Sequence, residues 1–353
     1  MIKVLIVEDS PVVREFLTHI LGSDSDIDVV GTACDGEEAV EAVERTRPDV
    51  VTMDIHMPRL NGFDATRRIM ELSPRPIVIV SGSSAHDEIA MTFKALESGA
   101  LAIVPRPRGL GDEESSRELV RTVKLMSEVR VVRRWPRSRT APAPAPAPRP
   151  AVSAEERGGD VRVVAMGAST GGPIVLQTIL SGLGESFPVP VLIVQHMTPG
   201  FAGGFAEWLA RSTGFPVGIA RDGETTLPGR AYVAPDGFHM GVRAGGRIAL
   251  ENAPPENGLR PSISYLFRSV VSAYGSQAVG VLLTGMGRDG AEELKLLRDK
   301  GCATIAQDRE SCVVYGMPGE AVRIGAAARI LSPDKIAAAL REIVQKPPAG
   351  FRG

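Results

Sequence analysis

Cysteine is scarce in this chain: three residues in 353, Cys34, Cys302 and Cys312, far apart and odd in number. With no C-x-x-C pair, neither a disulfide framework nor a cysteine zinc site is expected. Long apolar runs are lacking as well. None approaches the ~20 residues a spanning helix needs, so no direct membrane insertion is expected. The N-terminal M-I-K-V-L-I-V-E-D-S ends its short apolar run in acids. A signal peptide needs a longer run and a small-residue cleavage site, so the expected location is cytoplasmic. No excess of charge of one sign exists: the formal net charge is −2. That gives no global pull toward nucleic acid or anionic membrane. No repeat of fixed period is found. What is present, 43% hydrophobic and 23% charged residues, is ordinary for a soluble globular protein. The length is too great for one core of usual size and points to two domains.

The composition breaks after about Ser127. Residues 130–139 carry Arg130, Arg133, Arg134, Arg137 and Arg139, and A-P-A-P-A-P-A-P-R-P follows over 141–150. Alternating proline forms neither helix nor central strand and favours polyproline II, which over this stretch spans roughly 30 Å. The arginines read as a solvated linker rather than a binding patch. The division expected is a first domain over 1–126, a linker over 127–160, a second domain over 161–345 and a tail over 346–353.

The first part alternates strand-like apolar runs at 3–7, 27–33, 49–53, 76–80 and 100–104 with helix-like segments such as 36–46 and 63–72. The second part repeats the style, with buried strands expected at 161–166, 190–195 and 278–284. Strands separated by helices mean βαβ units. The fold class is therefore α/β, with two doubly wound, mainly parallel sheets.

In open α/β sheets, sites form beyond the carboxyl ends of the strands. Glu8 and Asp9 end the first strand and Asp54 ends the third. Converging carboxylates suit a hard cation such as Mg²⁺, and a carboxylate can attack a phosphoryl group. Ser81 and Arg106 end the fourth and fifth strands, where a hydroxyl and a cation suit phosphate oxygens. One such acid alone would be read as solvated or as a helix cap. Five polar residues at the ends of four strands favour a site.

V-E-D-S (7–10), M-D-I-H-M-P-R-L-N-G (53–62), V-S-G-S (80–83) and R-P (106–107) resemble the receiver domain of two-component response regulators, a flavodoxin-like fold. The resemblance implies that Asp54 is the phosphoacceptor, that Glu8, Asp9 and Asp54 surround Mg²⁺, and that Ser81 and Arg106 contact the phosphate. The family has lysine where this chain has Arg106, and often an aromatic where it has Ile103. A cis Arg106–Pro107 bond is expected from the same resemblance.

In the second part, V-V-A-M-G-A-S-T-G-G-P (163–173) runs from a strand through glycines into a helix. Ser169 stands at the turn, and the N–H groups of Thr170, Gly171 and Gly172 at a helix N-terminus suit an oxyanion or equally a bound phosphate. The turn fits neither G-x-x-x-x-G-K-[ST] nor G-x-G-x-x-G. The next strand ends in V-Q-H-M at His196, and V-G-V-L-L-T runs into G-M-G-R-D-G at Asp289. Each residue alone has a bland reading as packed histidine or turn aspartate. Together at one sheet edge they form a constellation for nucleophilic acyl transfer. Ser169 would be nucleophile and His196 base, with Asp289 fixing the histidine tautomer. G-A-S-T-G differs from the α/β-hydrolase elbow G-x-S-x-G.

With V-A-P-D-G-F-H-M (233–240), R-P-S-I-S-Y-L-F (260–267), L-L-T-G-M-G-R-D-G-A (282–291) and V-Y-G-M-P (314–318), these segments resemble the catalytic domain of chemotaxis protein-glutamate methylesterases, a Rossmann-like serine esterase. The receiver–linker–esterase order is that family's too. The resemblance implies hydrolysis of glutamyl methyl esters on the cytoplasmic domains of chemoreceptors with release of methanol, and often deamidation of receptor glutamines. It implies a chemotaxis histidine kinase as phosphodonor and no cofactor for the esterase. It adds the amides of Met286 and Thr170 as oxyanion contacts. The family's aspartate in R-P-S-V-D is Ser264 here, read as supporting structure, and His239 is read as structural with no evident partner.

Three rivals remain: a receptor-binding module without catalysis, a transcriptional regulator, and a hydrolase of small esters. The intact constellation argues against the first. The second needs a basic recognition helix, and no helix-turn-helix pattern is found. Control is expected by occlusion, with the unphosphorylated receiver covering the esterase mouth.

Overall fold

Valine- and isoleucine-rich runs form the strands, and the segments between them carry apolar residues at helical spacing. The computed structural model describes residues 1–82, 92–109, 111–129, 131 and 161–345. The tail and the proline-rich stretch 141–150 lie outside the described residues; of the linker expected over 127–160, residues 127–129 and 131 are described, and Ser127 still belongs to a helix.

The first unit contains β1 (Ile2–Val7), β2 (Ile27–Ala33), β3 (Val50–Met53), β4 (Ile77–Ser81) and β5 (Ala102–Pro105). Between and after them run α1 (Pro11–Gly22), α2 (Gly36–Thr46), α3 (Gly62–Leu72), α4 (Lys94–Ser98) and α5 (Glu113–Ser127). The strands are all parallel in the order β2-β1-β3-β4-β5. Side-chain caps start the helices: Asp35 accepts from the amides of Glu37 and Glu38, and Asn61 from that of Asp64. Val4, Ile6, Val50, Val78 and Val104 bury one face of the sheet against Leu17, Leu119 and Val123.

The second unit is built on seven parallel strands ordered β14-β13-β12-β6-β7-β9-β8. They are β6 (Val163–Ala168), β7 (Val191–Gln195), β8 (Val217–Ile219), β9 (Ala231–Val233), β12 (Ala278–Leu282), β13 (Ala303–Gln307) and β14 (Arg329–Leu331). Their helices are α6 (Gly172–Leu183), α7 (Ala202–Thr213), α8 (Ile263–Tyr274), α9 (Ala291–Asp299), α10 (Met317–Arg323) and α11 (Pro333–Gln345). The sequence reading omits an antiparallel ribbon, β10 (His239–Arg243) with β11 (Arg247–Glu251), in which Met240 pairs with Leu250.

In both sheets the chain reverses direction of travel at the centre, between β1 and β3 in the first and between β6 and β12 in the second. Crevices open at such points beyond the carboxyl ends of the strands. Cys34, Cys302 and Cys312 are free thiols. Among the described residues no helix is long and apolar enough to cross a membrane.

Candidate functional site

The three central strands of the second sheet, β12-β6-β7, deliver the residues singled out in the sequence. Ser169 follows β6, His196 follows β7, and Asp289 lies at the end of the loop after β12. Backbone bonds fix these ends: the Ser169 amide donates to the Thr284 carbonyl at 3.0 Å, and the His196 amide to the Ala168 carbonyl at 2.9 Å. Ser169, Thr170, His196, Met286 and Asp289 line one cavity of about 720 Å³.

His196 Nε2 lies 2.9 Å from Asp289 Oδ2. The Asp289 carboxylate is nearly enclosed and sits over the first turn of α8. It accepts from the Ser262 hydroxyl at 3.0 Å, the Ile263 amide at 2.7 Å and the Ser264 amide at 3.1 Å. Burial alone would raise its pKa. The hydrogen bond and charge of His196, together with the Ser264 and Ile263 donors, outweigh burial and bring it down to about 2. Ser264, where a resembling chain would carry aspartate, also donates to Glu293 at 2.6 Å and accepts from the Gly290 amide at 2.9 Å. No hydrogen bond joins Ser169 to His196 among the described residues. With Nε2 on Asp289, the ring nitrogen left for the serine is Nδ1.

His239 has partners that the sequence did not reveal. It is fully buried and stacks on Tyr265 with ring centroids 4.9 Å apart. Its Nε2 lies 3.1 Å from the Pro254 carbonyl, and Nδ1 accepts from the Ser262 amide at 3.2 Å. It therefore steadies the residue whose hydroxyl holds Asp289.

In the first unit the carboxylates of Glu8, Asp9 and Asp54 each offer an oxygen within 4.8 Å of the others. Glu8 and Asp54 are buried and Asp9 is exposed. Burial first, then the Asp54 charge, push Glu8 up to about 7 against the opposing charge of Arg106. Burial likewise raises Asp54, with the Ile55 amide and Arg106 opposing it. Ser81 is buried at the end of β4, and its carbonyl accepts from the Arg106 amide at 2.8 Å. Arg106 Nη1 reaches Glu8 Oε2 at 3.2 Å, with its guanidinium over Gly82, where a Cβ would stand 1.8 Å from Nη2. Ile103 is half-buried in β5. The expected cis bond at Arg106–Pro107 is absent: among the described residues the cis peptide is Arg260–Pro261. The longer arginine side chain reaches Glu8 from a trans backbone.

Comparison with known families agrees with both halves. Residues 164–340 match the family model described as CheB methylesterase, and residues 4–113 match the response regulator receiver domain. The chain belongs to the CheB methylesterase family. A protein-glutamate methylesterase/protein-glutamine glutaminase of Nitrosospira multiformis is 58% identical over 98% of this chain and 97% of its own. One of the same description from Geobacter metallireducens is 57% identical over 98% of this chain and 100% of its own. The crystal structure of the Thermotoga maritima CheB methylesterase catalytic domain superposes with a TM-score of 0.51 at 37% identity, covering 52% of this chain and 99% of that one.

In this CheB-family chain, residues of the receiver unit help to line the cavity that holds Ser169: Glu118, Arg121 and Leu125 of α5 and Ile103 of β5. The Thr198 hydroxyl, two residues past His196, donates to Glu118 at 2.6 Å. Burial raises the pKa of Glu118 despite that bond. Arg121 Nη2 lies 3.5 Å from the Met286 sulfur. Trp208 Nε1 and Gln177 Nε2 each donate to Glu97 at 3.0 Å. Phe93 sits 5.4 Å from the rings of both Phe205 and Trp208. None of these contacts had a signal in the sequence, because each joins residues 80 or more positions apart. Ser262 had one: a serine just before an apolar helical run is a cap.

Proposed function

We propose that this chain hydrolyses glutamyl methyl esters on the cytoplasmic domains of chemoreceptors, releasing methanol, and deamidates receptor glutamines at the same site. The observation that carries the reading is the Asp289 carboxylate. It is tied to the first turn of α8 and to His196, in one cavity with Ser169.

The chemistry follows from that arrangement. Ser169 Oγ attacks the ester carbonyl carbon while His196 Nδ1 takes its proton. Asp289 holds the ring by Nε2 and stabilises the imidazolium that forms. The charge that develops on the carbonyl oxygen falls to the backbone amides of Thr170 and Met286. His196 returns the proton to the departing methoxide as methanol. Water, deprotonated by the same histidine, then cleaves the acyl-serine to free glutamate and Ser169. With a glutamine side chain the leaving group is ammonia and the product is again glutamate.

The receiver unit supplies control. Asp54 is the phosphoacceptor, with a chemotaxis histidine kinase as donor, and Ser81 and Arg106 contact the phosphate. Three carboxylates, two of them buried and raised in pKa, are a donor set that fits Mg²⁺. Bound by Glu8, Asp9 and Asp54, Mg²⁺ would neutralise charge on the incoming phosphoryl group. Unphosphorylated, the receiver narrows the esterase cavity through α5 and β5, and phosphorylation shifts that interface.

Methanol release from methylated receptor membranes, with and without a phosphodonor, tests both halves. Ser169→Ala should lower the rate by about 10⁴-fold or more. Release near the parent rate would sink the assignment.

A further inference from the structure

The strand that delivers His196 ends in Gln195, which has no part in the chemistry above. Its side chain is buried at 4% exposure. One amide nitrogen makes two bonds: Nε2 donates to the Ser169 carbonyl at 2.8 Å and to the His196 carbonyl at 2.8 Å. Gln195 pairs across the sheet with Ala168, the residue before the serine. It therefore stands where β6 and β7 both end, and where carbonyls leaving the sheet have lost their ladder partners.

The glycines of G-A-S-T-G-G-P acquire a reason here. A Cβ on Gly172 would lie 2.1 Å from Gln195 Oε1, so the absence of a side chain at the start of α6 seats the amide. That oxygen has no hydrogen-bond partner among the described residues. The side chain is thus held by what its nitrogen donates. The Gly172 amide adds its own bond to the Ser169 carbonyl at 2.8 Å.

We propose that Gln195 is a positioning residue for the esterase reaction, clamping the backbone of Ser169 to that of His196 and so setting the distance over which the proton passes. Asp289 fixes the histidine ring from one side, and Gln195 fixes the chain that carries it relative to the nucleophile. The inference rests on the proposed roles of Ser169 and His196. Without the clamp the strand ends stay paired through the bond from His196 to Ala168, and Ser169 keeps its bonds to Thr284 and Gly172, but the Ser169 and His196 carbonyls lose the donor that ties one to the other. A misplacement of about 1 Å costs on the order of 100-fold in rate.

The test uses the full chain activated with a small phosphodonor and Mg²⁺. Gln195→Met keeps length and lacks a donor; Gln195→Glu keeps shape and, ionised, lacks one too. Either variant that retains the parent circular dichroism is read. The measurements are kcat and KM for methanol release from methylated receptor membranes, and the rate at which a fluorophosphonate labels the serine. The expected result is a fall in kcat of roughly 10- to 100-fold with KM held within about twofold, and a parallel fall in labelling. A merely structural role would lower thermal stability while leaving kcat and labelling of the folded protein near the parent values, and that result overturns the proposal. Ser169→Ala separates the two levels. If it still releases methanol, the site itself is misassigned and this inference goes with it. If it is inactive while the Gln195 variants match the parent, only the positioning role is lost.

Discussion

Both sheets place acids beyond the carboxyl ends of parallel strands, yet the two sites treat charge in opposite ways. At the second, Asp289 is held well below the usual carboxylate range by His196 and by donors at the start of α8. Its charge is satisfied in the resting protein. At the first, Glu8 and Asp54 are pushed up by burial, and Glu8 further by its acidic neighbour. Arg106 answers that charge only in part. A site built to catalyse has its electrostatics prepaid in fixed dipoles. On the proposed roles, a site that switches is left unbalanced until a cation and a phosphoryl group arrive, and that imbalance can be passed to the surrounding structure.

Substitution can break this contrast from either side. The largest effect is expected at Asp289. Asn in its place turns one acceptor into a donor facing the Ser262, Ile263 and Ser264 donors, and removes the histidine's orienting charge. Asp289→Asn should lower kcat by about 10³- to 10⁴-fold, read by methanol release. The pKa also sets a pH window. Because it is lowered to about 2 from the ordinary 3.8, the stability that Asp289 contributes is fully present above pH 3.8 and is lost as pH falls through 2. The parent should therefore lose more stability than Asp289→Asn in that acid range.

Glu8 has the opposite sign. Its pKa rises from 4.5 to about 7, so its charge carries no penalty below pH 4.5 and a growing one up to pH 7. In metal-free buffer at neutral pH, Glu8→Gln should stabilise the receiver by about 1 kcal/mol, with the gain vanishing near pH 4. A destabilised variant would mean that the Arg106 pair outweighs the burial cost. Arg106→Lys should tighten Mn²⁺ binding a few-fold, measured by electron paramagnetic resonance, since the shorter lysine would release the two Glu8 oxygens that Arg106 Nη1 now engages. It should also change esterase activation more than the rate of Asp54 phosphorylation. The smallest effect is expected at Glu118→Gln. The neutral side chain still accepts from Thr198 but carries no buried charge, so the interface should close more firmly. Basal methanol release of the unphosphorylated chain should fall about twofold, and an increase would argue that the Glu118 charge holds the units together.

Strand-end placement was readable because parallel strands bring their carboxyl ends to one edge whatever lies between them. Glu8, Asp54, Ser169, His196 and Asp289 all followed from that rule. Segment boundaries followed unevenly: the helix expected at 36–46 is α2 (Gly36–Thr46), whereas the strands expected at 100–104 and 161–166 are Ala102–Pro105 and Val163–Ala168. What escaped depended on distant partners. A glutamine closing a buried strand gives no hint that its amide reaches a carbonyl 26 positions away. His239 looked partnerless because its contacts come from Pro254, Ser262 and Tyr265. The β10–β11 ribbon is not legible because Gly241, Arg243 and the Gly245–Gly246 turn interrupt its apolar residues, and the trans Arg106–Pro107 bond because the expectation came from the resemblance to receivers.

The aromatic stack has one more consequence. The sequence holds two tryptophans, and one of them, Trp208, lies with its ring on Phe93 and its N–H on Glu97, both across the interface. Separation of the units would hand that indole to water and shift its emission to the red. A stopped-flow fluorimeter could then time-order phosphoryl transfer, opening and the first turnover on unlabelled protein, with Trp135→Phe silencing the other emitter.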